Sequence, residues 1–306
     1  DRASNRVLLL SCAGNVSFQN GTRQNHQNIA RFYSEDGGKT WGEPEDIAES
    51  IYSQFDASSY GPVRSMFVAS GRIMQSRITK VGDYYRLYCA VLVRDKYAKH
   101  MNYVLFSDDF GGSWKILGDI NAPAVYNTAD EPKVEELPNG NIVISSRING
   151  GRYFNIYTFT DIASGEGSWG DAAFSGEENE GCTAVENACN GEILILPAVR
   201  KADGAEVMVA FQSVPLGPDR RNVGVYYKEL PEDVSGLTPA LFAAGWEKPY
   251  QVSETSSAYS TMVQQQNGNI AFFYEECADV CPSGFDMVYK EIPVDSLTFN
   301  NYRALR

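Results

Sequence analysis

The sequence predicts an all-β protein assembled from repeated strand-hairpin units, the pattern of a β-propeller. Three observations predict it. One octet occurs twice, as Ser34-Glu35-Asp36-Gly37-Gly38-Lys39-Thr40-Trp41 and as Ser107-Asp108-Asp109-Phe110-Gly111-Gly112-Ser113-Trp114, each after a short apolar run. Asp and Ser side chains bond the backbone of a tight turn, Gly permits positive φ, and Trp pins such a turn onto a sheet. Asn-Gly between apolar runs, the strongest short hairpin signal, recurs within 136–143, 188–194 and 265–271. Finally, 18 Tyr and 15 Phe accompany short apolar runs with no long helical periodicity.

In chain order, the first unit opens with a looser hairpin signal at 5–9 and closes on the first octet. The second opens at 70–74 and closes on the second octet. The third pairs the hairpin at 136–143 with Asp161 to Trp169, a degenerate octet carrying an insertion. The fourth pairs 188–194 with Trp246, which keeps only the Trp. The fifth runs from Asn267 through a strand at 285–292 and has no octet. Five units of a hairpin plus one or two strands, with no linker or low-complexity segment, read as one domain over 1–306.

Composition narrows the class of partner. A net charge of −13 over 306 residues argues against nucleic acid or an anionic membrane as a bulk-charge partner, while leaving room for a local Arg cluster. No stretch is long and apolar enough to span a bilayer as a helix. Six Cys do not make a disulfide scaffold at this length; Cys277 and Cys281 are spaced to bridge within one loop, and free buried thiols are the other reading. With two His and no paired C-x-x-C, a metal site is not expected, and no cofactor is implied.

The repeat supplies a register. Glu131 lies eight residues before Asn139 and Arg147 eight after it; Tyr259 lies eight before Asn267 and Glu275 eight after it. Around a two-residue turn, such offsets face one another across a hairpin at the end away from the turn. Glu131 with Arg147, and Tyr259 with Glu275, are therefore expected at one mouth of a propeller.

The octet is the Asp box, and with it the chain resembles the sialidase (neuraminidase) superfamily of six-bladed β-propellers, of which about five blades are represented here. In that family the box is a structural turn away from the chemistry. The run from Glu131 to Glu136 followed by Ser145-Ser146-Arg147 resembles the segment that supplies a glutamate and the second arginine. Ala258-Tyr259-Ser260 followed by Tyr274-Glu275 resembles the nucleophilic tyrosine and the glutamate that steadies the first arginine. Asp219-Arg220-Arg221-Asn222-Val223 resembles the segment of the third arginine, with strand parity favouring Arg220 over Arg221. Gln75 is a candidate contact to the substrate's glycerol or N-acyl arm. The family's opening Arg-Ile-Pro segment and the acidic Asp after it are not found, so the general acid and first arginine stay unassigned. A missing N-terminal segment is the expectation.

The resemblance implies a retaining exo-sialidase acting on sialylated glycans at the cell surface, in the periplasm or after secretion. Sialic acid carries a carboxylate on its anomeric carbon, which arginines can hold bidentately. A carboxylate nucleophile would be repelled there, whereas a neutral phenol is not. A free phenol titrates near 10, so it needs an acceptor, here Glu131, and nearby cations. Three other readings stand beside this one: an intramolecular trans-sialidase using the same residues, a non-catalytic Asp-box propeller that binds glycans, and another Asp-box enzyme such as a glucan hydrolase with paired acids.

Overall fold

In the computed structural model, which describes residues 1–68, 70–186, 188–277 and 284–305, the chain folds into four antiparallel sheets. The first holds β1 (Val7–Ala13), β2 (Asn28–Ser34) and β3 (Glu45–Asp46) in that order. The second holds β4 (Ser65–Val68), β5 (Met74–Val81), β6 (Tyr84–Arg94), β7 (His100–Ser107), β8 (Lys115–Ile116) and β9 (Val125–Tyr126). Its order is β4-β6-β7-β8, with β5 also on β6 and β9 also on β7. The third holds β10 (Pro132–Glu136), β11 (Ile142–Ile148), β12 (Gly151–Asp161), β13 (Glu166–Trp169) and β14 (Ala173–Ser175), in the order β10-β11-β12-β13 with β14 on β12.

The fourth sheet is the largest. It holds β15 (Ile193–Arg200), β16 (Glu206–Gly217), β17 (Arg221–Glu229), β18 (Glu247–Gln251), β19 (Ser256–Gln264), β20 (Ile270–Cys277), β21 (Asp286–Ile292) and β22 (Tyr302–Ala304). Two hairpin groups, β15 to β18 and β19 to β21, meet in it through one residue pair, Arg221 with Ser256. The described helices are single turns or little more: α1 (Ala48–Tyr52), α2 (Pro239–Ala243) and α3 (Val294–Leu297). None is long and apolar enough to cross a membrane. The all-β expectation holds.

The residues group into two compact units. The first contains 1–134, 140–142 and 157–169; the second contains 135–139, 143–156 and 170–306. The core of the first is apolar and aromatic, with Ile51, Tyr52, Phe55, Met66, Val91, Tyr103, Leu105 and Trp114 fully or nearly buried. In the second, Phe211, Val223, Val225, Met262, Phe272 and Tyr274 pack within the fourth sheet, while Phe154 stacks on Trp246 at 5.6 Å and 11° beside α2. Alternation along the strands explains this: Val223, Val225 and Tyr227 of β17 are buried on one face.

Both Asp boxes form the same turn. Ser34 Oγ donates to Asp36 Oδ1 (2.8 Å) and accepts from Gly38 N (2.9 Å), while Asp36 accepts from Thr40 N (2.9 Å) and Thr40 Oγ1 (2.7 Å). The second copy repeats this at Ser107, Asp109, Gly111 and Ser113, at 2.7–2.8 Å. The third, degenerate copy differs. Asp161 caps a turn by accepting from Ala163 N (3.0 Å), and the insertion is itself strand β13, which carries Trp169 opposite Tyr157.

Two hairpin signals are not hairpins. At 70–74 the chain does not reverse: β4 and β5 lie on the same side of β6, and the turn falls later, at Gly82 and Asp83, between the paired Val81 and Tyr84. Asn190-Gly191 leads into β15 without turning back on a described strand. A side chain at Gly191 would meet the Ser213 carbonyl oxygen at 1.7 Å, so close packing is what this glycine serves. At 265–269 a hairpin does form, but not with a two-residue loop. Gln265 N pairs with Asn269 O (2.8 Å), Gly268 N with Gln265 O (2.9 Å), and only Gly268 takes positive φ (87°). That is a type I turn followed by a left-handed residue, the next commonest hairpin closure.

Candidate active site

The second unit brings four of the proposed residues together, Arg147, Arg220 and Glu275 around Tyr259. The ladder between β19 and β20 runs from Gln264 opposite Ile270 to Ser260 opposite Tyr274 without a slip. Ser257 then pairs with Glu276, so Ala258 and Tyr259 together oppose Glu275 alone. This is a β-bulge, a device that re-aims a side chain. Burial shows it too: Ser257 and Ala258 are both buried, breaking the alternation that resumes with Ser260 and Met262 inward and Tyr259 and Thr261 half-exposed. Tyr259 N donates to the Glu275 side chain, at Oε2, over 3.3 Å. The pairing read from the repeat, Tyr259 with Glu275, is what the ladder delivers.

Two guanidinium groups face the phenol. Arg147, near the end of β11, donates through Nη1 to Tyr259 Oη at 3.1 Å. Arg220 lies over the ring, 5.7 Å from its centroid. A phenol oxygen that accepts from a guanidinium N–H is stabilised in its ionised form, and a cation over the ring face adds attraction. Chemically, a phenol held against two guanidinium groups can share an anion with them.

Arg220 reaches this place for a reason that strand parity misses. It does not lie on β17 but in the loop before it, where Asp219 (φ 56°) and Arg220 (φ 60°) are both left-handed. Ser257 fixes the loop to β19: its N–H donates to Arg220 O (2.8 Å), and its Oγ accepts from Val223 N (2.8 Å). Arg221, the alternative, pairs with Gly217 in the hairpin and is exposed.

Beneath these residues runs a buried polar chain that the sequence reading did not single out. Arg152 Nε donates to Ser145 Oγ (2.9 Å), Ser145 Oγ to Gln212 Oε1 (2.6 Å), and Gln212 Nε2 to Ser213 O (3.0 Å). Ser260 Oγ then donates to Ser213 Oγ (2.8 Å). Four strands, β12, β11, β16 and β19, are thereby tied, within two residues of Arg147 and one residue of Tyr259. Buried polar groups satisfied this way fix register better than apolar contacts do. The available signal was the unusual density of Ser at 145, 146, 256, 257 and 260 on strands otherwise apolar.

Glu131 and Gln75 belong to the first unit. Glu131 is half-buried in the bend just before β10. Gln75, on β5, is engaged elsewhere: Arg2 N donates to its Oε1 (3.0 Å), and its Nε2 donates to Asp1 Oδ1 (3.2 Å). Cys277 is disulfide-bonded, whereas Cys12, Cys89 and Cys182 are free thiols; Cys281 lies outside the described residues.

The fold is that of the sialidases. A microbial sialidase, Hadza Hz136, superposes with a TM-score of 0.65 at 18% identity, over 95% of this chain and 50% of its own. The intramolecular trans-sialidase from Ruminococcus gnavus, in complex with oseltamivir carboxylate, gives 0.59 at 18%, over 89% and 52%. Trypanosoma rangeli sialidase in its covalent intermediate with 2,3-difluorosialic acid gives 0.60 at 14%, over 93% and 42%. In sequence, sialidase-3 of Rattus norvegicus is 21% identical over 293 residues, 84% of this chain and 64% of the rat protein. No protein-family model matches. The resemblance read from the motifs is thus borne out at the level of the superfamily. The chain spans about two thirds of its rat relative and about half of the solved ones.

Proposed function

We propose that this chain belongs to a six-bladed propeller sialidase, a retaining exo-α-sialidase that releases terminal sialic acid from glycoconjugates. The observation that carries the reading is the 3.1 Å contact from Arg147 Nη1 to the Tyr259 phenol, with Arg220 over the same ring. In this mechanism Arg147 and Arg220 hold the sugar carboxylate and favour the phenolate. Tyr259 Oη attacks the anomeric carbon, its proton passes to a carboxylate, and the glycan leaves. Water then attacks the glycosyl-tyrosine and returns the phenol. Glu131 is assigned as proton acceptor on the hairpin register and the resemblance. Glu275, bonded to Tyr259 N, holds the bulge and orients an arginine. The acid that protonates the departing oxygen has no assignment in this chain.

Secretion, the periplasm or the cell surface suits such a substrate, and the disulfide at Cys277 supports an oxidising compartment. A binding-only propeller is disfavoured because it has no use for a phenol held against two guanidinium groups.

The test is incubation with a fluorogenic sialoside and with 2,3-difluorosialic acid, followed by peptide mass spectrometry. The expected result is hydrolysis with retention, one covalent label on the peptide containing Tyr259, and a loss of at least about 100-fold in Tyr259→Phe. Hydrolysis that survives Tyr259→Phe, or a label on another residue, would remove Tyr259 from its role. Binding of sialic acid with neither hydrolysis nor label would leave a lectin-like propeller.

A further inference from the structure

The loop that carries Arg220 is strained and held from several sides at once, more firmly than a hairpin turn requires. Asp219 (φ 56°), Arg220 (φ 60°) and Asn222 (φ 56°) are all left-handed, three of the four residues from 219 to 222. A non-glycine residue in this region costs stability and persists only where its surroundings hold it. Here the backbone is tied to two other segments. Asp219 N donates to Glu186 O (3.2 Å), and Asn222 N donates to Thr255 O (2.9 Å). Val252 N (2.8 Å) and Ser253 N (3.0 Å) both donate to Val223 O.

The holding segment, 252–257, is itself fixed to the end of β20. Ser253 Oγ donates to Glu276 Oε1 (2.6 Å), an oxygen that also accepts from the buried Tyr274 Oη (3.0 Å). Thr255 Oγ1 donates to Cys277 O (2.6 Å), and Ser257 pairs with Glu276 across the ladder. Ser257 is the pivot between this segment and the loop. Its side chain is fully buried, and three hydrogen bonds run through the residue. Its N–H donates to Arg220 O (2.8 Å), its Oγ accepts from Val223 N (2.8 Å), and the same Oγ donates to Thr255 O (3.2 Å). The bulge that re-aims Tyr259 begins at the next residue. One serine therefore adjoins both partners of the contact between Arg220 and the phenol ring.

We propose that Ser257 is a positioning residue that sets Arg220 over the Tyr259 ring before any ligand binds, so that a carboxylate meets an arginine already in place. Without the hydroxyl, Val223 N loses its buried acceptor and the left-handed loop loses one of the bonds that oppose its relaxation. An arginine held in advance gives up little freedom on binding, whereas a loose one must be ordered by the ligand. The hydroxyl therefore acts chiefly on binding of the anion, through Arg220. That the anion is the carboxylate of sialic acid rests on the sialidase reading; the hold of Ser257 on Arg220 does not.

The experiment combines a double-mutant cycle, Ser257→Ala with Arg220→Ala, and crystal structures of the parent chain and Ser257→Ala, with melting curves alongside. With an aryl sialoside, Ser257→Ala should raise KM about five- to tenfold and change kcat less than about threefold. In the Arg220→Ala background the same substitution should change KM less than about twofold, because its effect passes through the arginine. In the crystal, Arg220 should leave its place over the ring. Equal factors in both backgrounds would overturn the proposal, since a merely structural serine gives additive losses. So would a folded Ser257→Ala that keeps Arg220 at 5.7 Å from the ring centroid. Should Ser257→Ala fail to fold, Ser257→Cys, similar in shape with a weaker acceptor, takes its place under the same criteria. If the parent chain cleaves no sialoside, the sialidase reading falls, while the two crystal structures still decide whether Ser257 sets Arg220.

Discussion

The two Asp boxes share a hydrogen-bond pattern to within 0.1 Å and differ in almost everything around it. Trp41 of the first is 43% exposed, whereas Trp114 of the second is 5% exposed and packs in the core of its unit. The expectation that Trp pins the turn onto a sheet therefore holds for one copy and not for the other. At the fourth position Gly37 takes φ 73° without penalty, while Phe110 takes φ 55° and is held there by burial. A side chain added at Gly38 would come no nearer than 3.8 Å to Trp41, yet one added at Gly111 would meet Leu8 Cδ2 at 2.5 Å. The octet dictates the turn; neighbouring elements decide whether the turn bears any of the fold's stability.

The sharpest way to break this contrast is to remove each Trp. Trp114→Ala should cost about 3–5 kcal/mol, the range for deleting a buried aromatic ring. Trp41→Ala should cost about 1 kcal/mol or less, as for an exposed position. Urea unfolding of the two variants measures both. Equal losses would mean that the shared turn, not the packing around it, is what the Trp supports.

The same contrast recurs in the ion pairs one residue into each box. Asp108 takes Arg86 in a two-pronged bond (2.6 and 3.0 Å), and Arg86 is fully buried, donating also to Ile162 O (2.7 Å) and Ala163 O (2.8 Å). Glu35 takes Arg6 at 2.8 Å on the surface, where Arg6 also lies over the Tyr33 ring at 4.3 Å. Arg86→Ala strands a carboxylate and two carbonyls and should cost about 3 kcal/mol or more. Arg6→Ala should cost about 1 kcal/mol, and less at high salt. A salt series on both variants tests this. If 1 M salt rescued Arg86→Ala, its partner would have to be solvated.

What the sequence made legible follows the same division between local and non-local causes. The octets state their own turns, because every donor and acceptor lies within four residues. Likewise, Tyr259 opposite Glu275 follows from counting outward from Asn267 along a ladder unbroken as far as Ser260 and Tyr274. The bulge at Ala258 could not be counted, since it depends on Ser257 bonding to Arg220 and Val223 far along the chain. The hairpin reading of Asn190-Gly191 failed because Ser213 sets that backbone's approach. Arg220 lies over the Tyr259 ring because of a left-handed loop, which strand parity does not describe. Gln75 was read by position alone, and position does not reveal that Asp1 and Arg2 occupy its amide.

The smallest expected effect separates the boxes by pH. Thr40 N–H, then its hydroxyl, then Ser34 hold the Asp36 carboxyl down, at about 2 against an ordinary 3.8. At Asp109 burial pushes the other way, yet the donors from Ser113 and Ser107 outweigh it and the group is also lowered. A depressed carboxyl contributes stability above its unfolded pKa, and that contribution fades as pH falls towards the folded value. The first box should therefore lose its support between about pH 4 and pH 2, and the second as pH falls below about 4. Asp36→Asn and Asp109→Asn should each flatten the acid limb of stability against pH, measured by urea midpoints from pH 5 to pH 2. In the first box the loss should stay local, because little packs on Trp41. In the second, loosening the turn loosens Trp114 and Phe110 in the core, so Asp109→Asn should also lower the midpoint at pH 7 more than Asp36→Asn does. Equal midpoints at pH 7 would show that the core around Trp114 holds its turn without help from the carboxylate.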